Sequence, residues 1–284
     1  MSSTTAAAAG AITLGGDLIV NRLGFGAMRL TGEGILGEPR DPDEARRVLR
    51  GAVELEVNFI DTADSYGPEV SERLIGETLS PYPPGLVIAT KGGLLRNRSG
   101  AWPPDGRPAH LRAALEGSLR RLRLERIDLY QLHRPDPRVP FEESVGELVR
   151  MREEGKVRHL GLSNVDRGQL ERALALTEVV SVQNRYNLGD RSSEDVLAAC
   201  ESRGIAFLPW WPLAVGRLAR PGSRLELAAR EHQASPGQLA LAWLLARSQV
   251  MLPIPGTSSV SHLGENVAAA AIRLRPEEVA ALAA

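Results

Sequence analysis

Short apolar runs alternate along the chain with longer segments in which apolar residues recur every three or four positions. Runs rich in β-branched and aromatic residues are typical of buried strands, and the 3.6-residue repeat is typical of helices. Eight such runs predict strands at 22–28, 57–62, 86–91, 127–133, 157–163, 179–183, 205–210 and 251–255. Because helical segments separate these runs, the sequence predicts a parallel sheet with helical crossovers.

Three of the helical segments show clear signals. Asp41 precedes Pro42 and has Glu44 three positions later, which predicts the start of a helix over 42–56. A helix over 108–123 would place one set of residues on a single face, namely Leu111, Leu115, Leu119 and Leu122. Ser235 and Gln238 form a capping-box pattern that predicts the start of another helix.

Eight strand–helix repeats favour closure into a (β/α)8 TIM barrel. An open doubly wound sheet is the alternative, but no G-x-G-x-x-G motif opens a first strand–helix unit. The segment 11–20, with Gly15-Gly16-Asp17 in its middle, predicts a β-hairpin that closes the barrel bottom. The composition does not shift along the chain, so we expect residues 1–284 to form one domain.

Charge and composition exclude several classes of partner. The net charge of −1 gives no bulk attraction to nucleic acid or to an anionic membrane. The single cysteine forms no intrachain disulfide, and the five histidines are not paired at metal-ligand spacing. No secretory signal and no run of membrane-spanning length is present, so we expect a cytoplasmic monomer or small homo-oligomer.

Candidate chemistry lies at the ends of the predicted strands, where barrel active sites are found. Asp61, Lys91 and His133 end three strands, and Tyr66 lies in the loop after the first of them. A carboxylate can hold an ammonium beside a phenol, and an imidazole can orient a carbonyl, which suits proton transfer.

Each of these four residues also has a structural interpretation. Asp61 would cap a helix, Lys91 would be a solvated charge, and Tyr66 and His133 would pack at the rim or in a loop. Two features favour the chemical interpretation. The four residues converge at one mouth, and the chain has only two lysines, Lys91 and Lys156, beside 32 arginines.

Seven segments resemble the aldo-keto reductase family in the family's order. They are GFGAM at 24–28, NFIDTADSYG at 58–67, VIATKGG at 87–93, RIDLYQLHRPD at 126–136, GKVRHLGLSN at 155–164, VQNRYNL at 182–188, and LPIPGTSS at 252–259 with EN at 265–266. The resemblance implies a barrel enzyme that transfers hydride from a nicotinamide to an aldehyde or ketone. It also implies that Tyr66 is the general acid, Lys91 lowers the pKa of Tyr66, Asp61 anchors Lys91, and His133 orients the carbonyl.

The resemblance also implies a cofactor site for NADPH or NADP+, with NADH not excluded. Ser163, Asn164 and Gln183 would hold the nicotinamide carboxamide, and Trp210, or Trp211 with a one-residue shift, would stack on its ring. Residues 256–258 and Asn266 would grip the adenosine end, with backbone N–H groups near 257–259 suited to a phosphate. The full predicted set is Gly26, Ala27, Met28, Asp61, Ser163, Asn164, Gln183, Trp210, Pro212, Leu213, Ile254, Gly256, Thr257, Ser258, His262, Glu265 and Asn266.

One departure concerns the 2′-phosphate of the cofactor. Many family members carry lysine where this chain has Gly256 and arginine where it has His262. Thr257, Ser258 and His262 would bind a phosphate through neutral hydrogen bonds, which are weaker than those from a pair of cations.

Fewer sequence features bear on the substrate than on the cofactor. The segment 94–108, with Arg96, Arg98 and Trp102, would gate the site or be a plain surface loop. Trp102, Tyr186 and Trp211 would wall a pocket for an aromatic or apolar carbonyl compound, and the motifs are similar to branches that include pyridoxal reductases.

Two other functions fit the same fold class. A nucleotide-binding regulatory or scaffold subunit, like the potassium channel β-subunits that resemble this family, is the first alternative. A sugar-phosphate barrel enzyme without nicotinamide is the second, although the expected phosphate-site glycines after the seventh strand are missing.

Overall fold

The computed structural model describes residues 4–213 and 222–283. The strands within these residues are β1 (Ala11–Leu14), β2 (Leu18–Asn21), β3 (Phe25–Gly26), β4 (Phe59–Asp61), β5 (Val87–Gly92), β6 (Ile127–Leu132), β7 (Val157–Ser163), β8 (Ser181–Arg185) and β9 (Ala206–Trp210). The α-helices are α1 (Pro42–Glu54), α2 (Val70–Leu79), α3 (Pro108–Leu122), α4 (Phe141–Glu153), α5 (Arg167–Leu174), α6 (Glu194–Glu201), α7 (Arg224–Glu231), α8 (Pro236–Arg247), α9 (Val260–Ala268) and α10 (Pro276–Ala283).

A parallel sheet of seven strands, β3 to β9 in chain order, forms the centre of the fold. The segment 250–255 closes it. On one side, Met251 bridges Phe207 in parallel and Leu252 donates to the Phe207 carbonyl at 2.9 Å. On the other side, Gly24 donates to the Pro253 carbonyl at 2.9 Å. The last segment thus joins both edges, and the predicted (β/α)8 barrel is confirmed.

The seam between the first and last strands differs from the prediction. Only Phe25–Gly26 of the predicted strand 22–28 pairs as a strand, and residues 27–28 belong to the 3-10 helix Ala27–Leu30. The predicted strand 251–255 is reduced to one bridge. Pro253 and Pro255 have no N–H to donate, so this segment only accepts hydrogen bonds from β3. The second of these bonds, from Gly26 to the Pro255 carbonyl, measures 3.3 Å.

Arg22 holds the same seam from inside the protein. Its side chain is buried, and its guanidinium donates to the Leu245 carbonyl at 2.7 Å, the Met251 carbonyl at 3.3 Å and the Ser248 carbonyl. These carbonyls lie at the end of α8 and the start of the closing segment. Arg22 therefore replaces part of the strand pairing that the prolines prevent.

The predicted hairpin is present and closes the barrel bottom. Strands β1 and β2 pair antiparallel through a three-residue turn, in which Gly15 and Gly16 have positive φ angles of 57° and 79° that glycine adopts without strain. Leu14 and Leu18 are buried in one cluster with residues from the N-terminal ends of the barrel strands, among them Phe59, Val87 and Leu129.

The helices begin where the sequence predicted. The Asp41 carboxylate accepts from the N–H groups of Asp43 and Glu44 at the start of α1, and Ser235 and Gln238 form a complete capping box at α8. Their apolar faces pack against the sheet from outside. No described helix is long and apolar enough to cross a membrane.

Candidate active site

Four ionisable or polar side chains meet at the C-terminal end of the barrel. Asp61 is the last residue of β4, and Lys91 is the second-last residue of β5. His133 directly follows β6, and Tyr66 lies in the loop between β4 and α2. The parallel order of β4, β5 and β6 brings these strand ends side by side, as the sequence predicted.

Lys91 is the centre of this group. Its ammonium donates to Asp61 Oδ2 at 2.7 Å, to the Thr62 carbonyl at 2.8 Å and to the Tyr66 hydroxyl at 3.2 Å. Lys91 has no exposed surface, and a buried ammonium is stable only when paired and fully hydrogen-bonded. Three acceptors for three donors meet that condition.

Asp61 is held by a second set of donors. Its Oδ1 accepts from the amide of Gln183 at 2.9 Å and from the amide of Gln131 at 3.1 Å. Both glutamines are buried. The carboxylate is therefore fixed on both oxygens and cannot rotate away from Lys91 without breaking hydrogen bonds inside the barrel.

His133 stands beside the phenol. The two rings meet edge to face, with centroids 5.8 Å apart, and Nδ1 of His133 lies 3.4 Å from the Ser65 hydroxyl. Tyr66 and His133 keep 7% and 6% of their surface exposed, which leaves them the outermost members of a buried group. A small molecule entering the mouth would meet these two rings first.

The electrostatics indicate the protonation states of Tyr66, Lys91 and His133 at neutral pH. Burial raises the pKa of the Tyr66 phenol, although the nearby Lys91 charge pulls it down. Burial lowers the pKa of Lys91, but Asp61 and Tyr66 outweigh it and the pKa is raised. Burial and the Lys91 charge hold the pKa of His133 well below its usual value. The site therefore contains a neutral phenol, a charged ammonium and a neutral imidazole.

Asn164 links this group to the neighbouring strand ends. Its amide donates to the His133 carbonyl at 2.9 Å and to the Ser163 hydroxyl at 3.0 Å, and its oxygen accepts from the Trp210 indole at 3.1 Å. The φ angle of Asn164 is +56°, a conformation that asparagine tolerates better than most residues. A hydroxyl, amides and an indole thus lie together, and this donor and acceptor set fits a carboxamide and its ring.

The two glycines of the predicted cofactor set lie back to back across the seam. A Cβ atom on Gly256 would stand 2.5 Å from the Gly26 carbonyl oxygen, and one on Gly26 would stand 2.6 Å from the Ile254 carbonyl oxygen. Any larger residue at either position would push the seam apart. A lysine at position 256 would therefore not fit this backbone without a shift of the seam.

The start of α9 holds the N–H groups that were predicted to face a phosphate. One of the three, that of Ser259, has a partner inside the protein, because it donates to the Thr257 hydroxyl at 3.1 Å. Val260 donates to the Glu44 carboxylate at 3.0 Å. Thr257 is buried, whereas Ser258, His262 and Glu265 are exposed and Asn266 is half-buried. A phosphate would approach these exposed side chains next to an existing carboxylate.

Aromatic side chains and arginines line the rim. The Arg96 guanidinium lies 4.5 Å from the Trp102 ring and donates to the Gly34 carbonyl, which ties the 94–108 segment to the loop after β3. Arg185 lies 4.4 Å from the Trp211 ring. Trp211 is 47% exposed in a positive-φ conformation, so its ring is available at the surface of the mouth.

Tyr186 does not belong to this rim. It has no exposed surface, stacks on Trp243 at 6.1 Å and meets Phe207 edge to face. Its hydroxyl bonds Glu194 at 2.6 Å. The prediction that Tyr186 walls the pocket is wrong, because the ring points into the layer between sheet and helices. Of the remaining predicted cofactor positions, Pro212 and Ile254 are buried, and Met28 and Leu213 are half-buried.

Sequence reasoning missed Gln131 and Ser65, which contact Asp61 and His133. Gln131 is a buried polar residue between Tyr130 and Leu132 and is the register partner of Lys91 in the sheet. A polar residue in the middle of a buried strand is a signal that would have found it.

Asp64 is a further titratable group near the site. Its Oδ1 is closed off from solvent and has no hydrogen-bond partner among the described residues. Burial, followed by the charge of Glu72, raises the pKa of Asp64 to about 8. Glu72 itself accepts from Arg121 at 2.7 Å and from Thr90 at 2.5 Å. Asp64 therefore carries a proton at neutral pH.

Comparison with known proteins gives a consistent result. The family model for the aldo/keto reductase family matches residues 22–284. The chain is 52% identical over 281 residues to an uncharacterised oxidoreductase of Schizosaccharomyces pombe, covering 99% of this chain and 91% of that protein. It is 43% identical over 274 residues to pyridoxine 4-dehydrogenase of Escherichia coli, covering 94% and 95% respectively.

Solved structures agree with these relatives. An aldo-keto reductase from Klebsiella pneumoniae in complex with NADPH superposes with a TM-score of 0.80 at 27% identity, covering 99% of this chain and 94% of that one.

Proposed function

Because this chain belongs to the aldo/keto reductase family, we propose that it transfers hydride between NADPH and a carbonyl compound, with Tyr66 delivering the proton. The observation that carries the proposal is the buried chain of Asp61, Lys91 and Tyr66, joined by hydrogen bonds of 2.7 Å and 3.2 Å. This arrangement supports the proposal, since an ammonium beside a phenol favours the phenolate over the neutral form.

The proton step follows from the protonation states. Tyr66 begins as a neutral acid because its burial raises its pKa. As a substrate oxygen gains negative charge, Tyr66 donates its proton to that oxygen. The charge of Lys91 stabilises the phenolate that remains, and Asp61 keeps Lys91 in place. General acid catalysis of this kind contributes about 10²- to 10⁴-fold in rate.

His133 has a positioning part in this scheme. Its pKa is held well below the usual value, so it stays neutral and adds no charge that would compete with Lys91. A neutral imidazole beside the phenol would hydrogen-bond the carbonyl oxygen and hold it within reach of Tyr66.

The cofactor would lie over the strand ends. Bound NADPH supplies the hydride that reduces the carbonyl carbon. Ser163, Asn164 and Gln183 would hold the nicotinamide carboxamide, and Trp210 would pack on its ring. The adenosine end would lie along 256–266. NADPH is the cofactor we favour, and NADH is the alternative.

The substrate we propose is a flat aromatic aldehyde of the pyridoxal kind. Two observations support this class. A relative with 43% identity over almost the whole chain is named for pyridoxine oxidation. Trp211 also presents an exposed ring at the mouth, and the guanidinium groups of Arg96 and Arg185 lie over aromatic faces there. Flat rings stack on such surfaces.

The test begins with binding. Titration with NADPH and with NADH, followed by tryptophan fluorescence, would show quenching that the Trp210→Phe variant loses. Oxidation of NADPH at 340 nm with pyridoxal would then measure activity. The Tyr66→Phe variant keeps the ring but lacks the proton. We expect it to bind NADPH within about twofold of wild type and to lose at least about 100-fold in kcat.

Two results would contradict the proposal. Full activity of Tyr66→Phe would remove the phenol from the proton step. Failure of wild type to bind either dinucleotide would reject the oxidoreductase function and favour a scaffold function for this barrel.

A further inference from the structure

The first turn of α9 is occupied by a carboxylate from another helix. Glu44, in the first turn of α1, accepts a hydrogen bond from the Val260 N–H at 3.0 Å. The two residues are 216 positions apart, and the contact forms because helices α1 and α9 are neighbours. The start of α9 carries a partial positive charge, which an anion stabilises.

Glu44 is ionised in this position. The hydrogen bond from Val260, followed by that from Arg47, lowers the pKa of the Glu44 carboxyl. Arg47 lies 2.8 Å from the same carboxylate. Arg47 is therefore already engaged by Glu44, and the carboxylate takes the place that an external anion would otherwise occupy at the start of α9.

One further cation lies beside this face, because a Cβ on Gly256 would stand 3.5 Å from the Cγ atom of Arg29. Ser259 N–H is bonded to Thr257, and the Ser259 hydroxyl faces the His262 N–H at 3.5 Å. Gly256 has no side chain, and the seam leaves no room for one. The face along which the adenosine end would lie thus has one fixed negative charge at the start of α9.

We propose that Glu44 is a specificity-determining residue that weakens binding of the 2′-phosphate of NADPH relative to NADH. This inference rests on the proposed function, because it needs the adenosine end of the dinucleotide to lie along 256–266. A 2′-phosphate there would approach the Glu44 carboxylate, whereas the 2′-hydroxyl of NADH carries no charge. A carboxylate near the ribose 2′ position discriminates in the same sense in other dinucleotide sites. Glu44 therefore makes the preference for NADPH over NADH smaller than it would be without this carboxylate.

The test replaces the charge and keeps the hydrogen bond. In Glu44→Gln, the amide oxygen still accepts from Val260, so the helix start is preserved. We expect this variant to bind NADPH about five- to tenfold more tightly, as repulsion between a surface carboxylate and a phosphate several ångströms away implies. NADH affinity should stay within about twofold of wild type by the same electrostatic reasoning.

A matched control separates contact from general charge. Asp43 precedes Glu44 on the same turn, is exposed and pairs with Arg46 at 3.0 Å. Asp43→Asn removes an equal charge without touching α9. Its affinities for both dinucleotides should match wild type within about twofold, because an exposed charge beyond the contact is screened.

Binding is measured by calorimetry, so that the result does not depend on activity. Adenosine 2′,5′-bisphosphate and 5′-AMP serve as additional probes, since they differ only in the 2′-phosphate. Tighter binding of the bisphosphate but not of 5′-AMP by Glu44→Gln would support the proposal. High salt should reduce the difference.

Three outcomes would overturn the inference while leaving the proposed function intact. They are no gain for NADPH in Glu44→Gln, an equal gain for NADPH and NADH, or the same gain in Asp43→Asn. If the wild-type chain binds neither dinucleotide, the proposed function itself fails, and the inference fails with it.

Discussion

The substitution Asp61→Asn tests the buried ion pair directly. Three donors converge on the Asp61 carboxylate, namely Lys91 at 2.7 Å, Gln183 at 2.9 Å and Gln131 at 3.1 Å. An asparagine amide has only one oxygen, so its NH2 group would face at least one of these donors. Lys91 would then be a buried charge without a counter-charge.

The expected loss of stability is large. Removing one partner of a buried ion pair costs about 3–5 kcal/mol in unfolding free energy. For a domain of this size, each kcal/mol corresponds to a few degrees, so the melting temperature should fall by roughly 10 °C. An exposed pair loses about 0–1 kcal/mol in the same experiment.

The pH dependence provides an independent check. In wild type the pKa of Lys91 is raised above its usual 10.5, so its contribution is present below that pH and is lost as pH rises through the folded value. Without Asp61, burial becomes dominant and lowers the pKa of Lys91. The variant then regains stability as pH rises toward 10.5. The difference in unfolding free energy between wild type and Asp61→Asn should therefore become smaller as the pH rises.

The assay is urea unfolding at pH 7 and pH 10, with Asp43→Asn as the control. That exposed pair also joins aspartate to a cation, at 3.0 Å, but its carboxylate is 79% exposed. A loss below about 1 kcal/mol for Asp61→Asn would place the pair in the surface class and refute the reasoning. If the difference in unfolding free energy instead grew toward pH 10, the interpretation of Lys91 as a charge stabilised by Asp61 would be refuted.

Three further predictions each concern one residue, namely Asp64, His262 and Gly256. The pKa of Asp64 is raised to about 8, so the folded wild type holds this proton between about pH 4 and pH 8 while the unfolded chain loses it. The stability of Asp64→Asn relative to wild type should therefore increase from about pH 4 to pH 8 and stay constant above pH 8. Urea unfolding across this range measures the difference in unfolding free energy, and a difference that does not change with pH would contradict the prediction. His262→Arg should tighten NADPH relative to NADH by about tenfold through a charged contact with the phosphate, and an unchanged ratio in fluorescence titrations would remove that role from position 262. Gly256→Ala should lower stability by about 1–3 kcal/mol because its Cβ would meet the Gly26 carbonyl oxygen at 2.5 Å, whereas Gly264→Ala, with open space around it, should be neutral or stabilising in the same thermal melts.

The interior of the fold was predictable, and its seam was not. Strands β4 to β9 agree with the predicted runs within a few residues because each overlaps a run rich in apolar residues between helical segments. The first and last strands are short because hydrogen bonding at the seam depends on which residues lack an N–H. The prolines at 253 and 255 carried that information, but their effect appears only when the partner strand is known.

The group formed by Asp61, Tyr66, Lys91 and His133 was predictable from the topology of the barrel. Polar residues at strand ends meet by topology, so Asp61, Lys91 and His133 needed only a parallel order. Contacts between helices did not follow from local pattern. The bond between Glu44 and Val260 joins distant parts of the chain, and Glu44 was assigned only as part of a helix start. Tyr186 was misplaced because an aromatic residue after a strand can point to either side.

The closing segment has a consequence for how the barrel opens. Neighbouring strands elsewhere share ladders of bonds, but the seam has two bonds on the β3 side, at 2.9 Å and 3.3 Å, and the clamp of Arg22. Hydrogen exchange should therefore be fastest at the Gly24 and Gly26 amides among those of the barrel strands. A dinucleotide bound as proposed would touch both sides of this seam. Its binding would then slow hydrogen exchange at the Gly24 and Gly26 amides, because the ligand would hold together the two sides of the seam that few hydrogen bonds join.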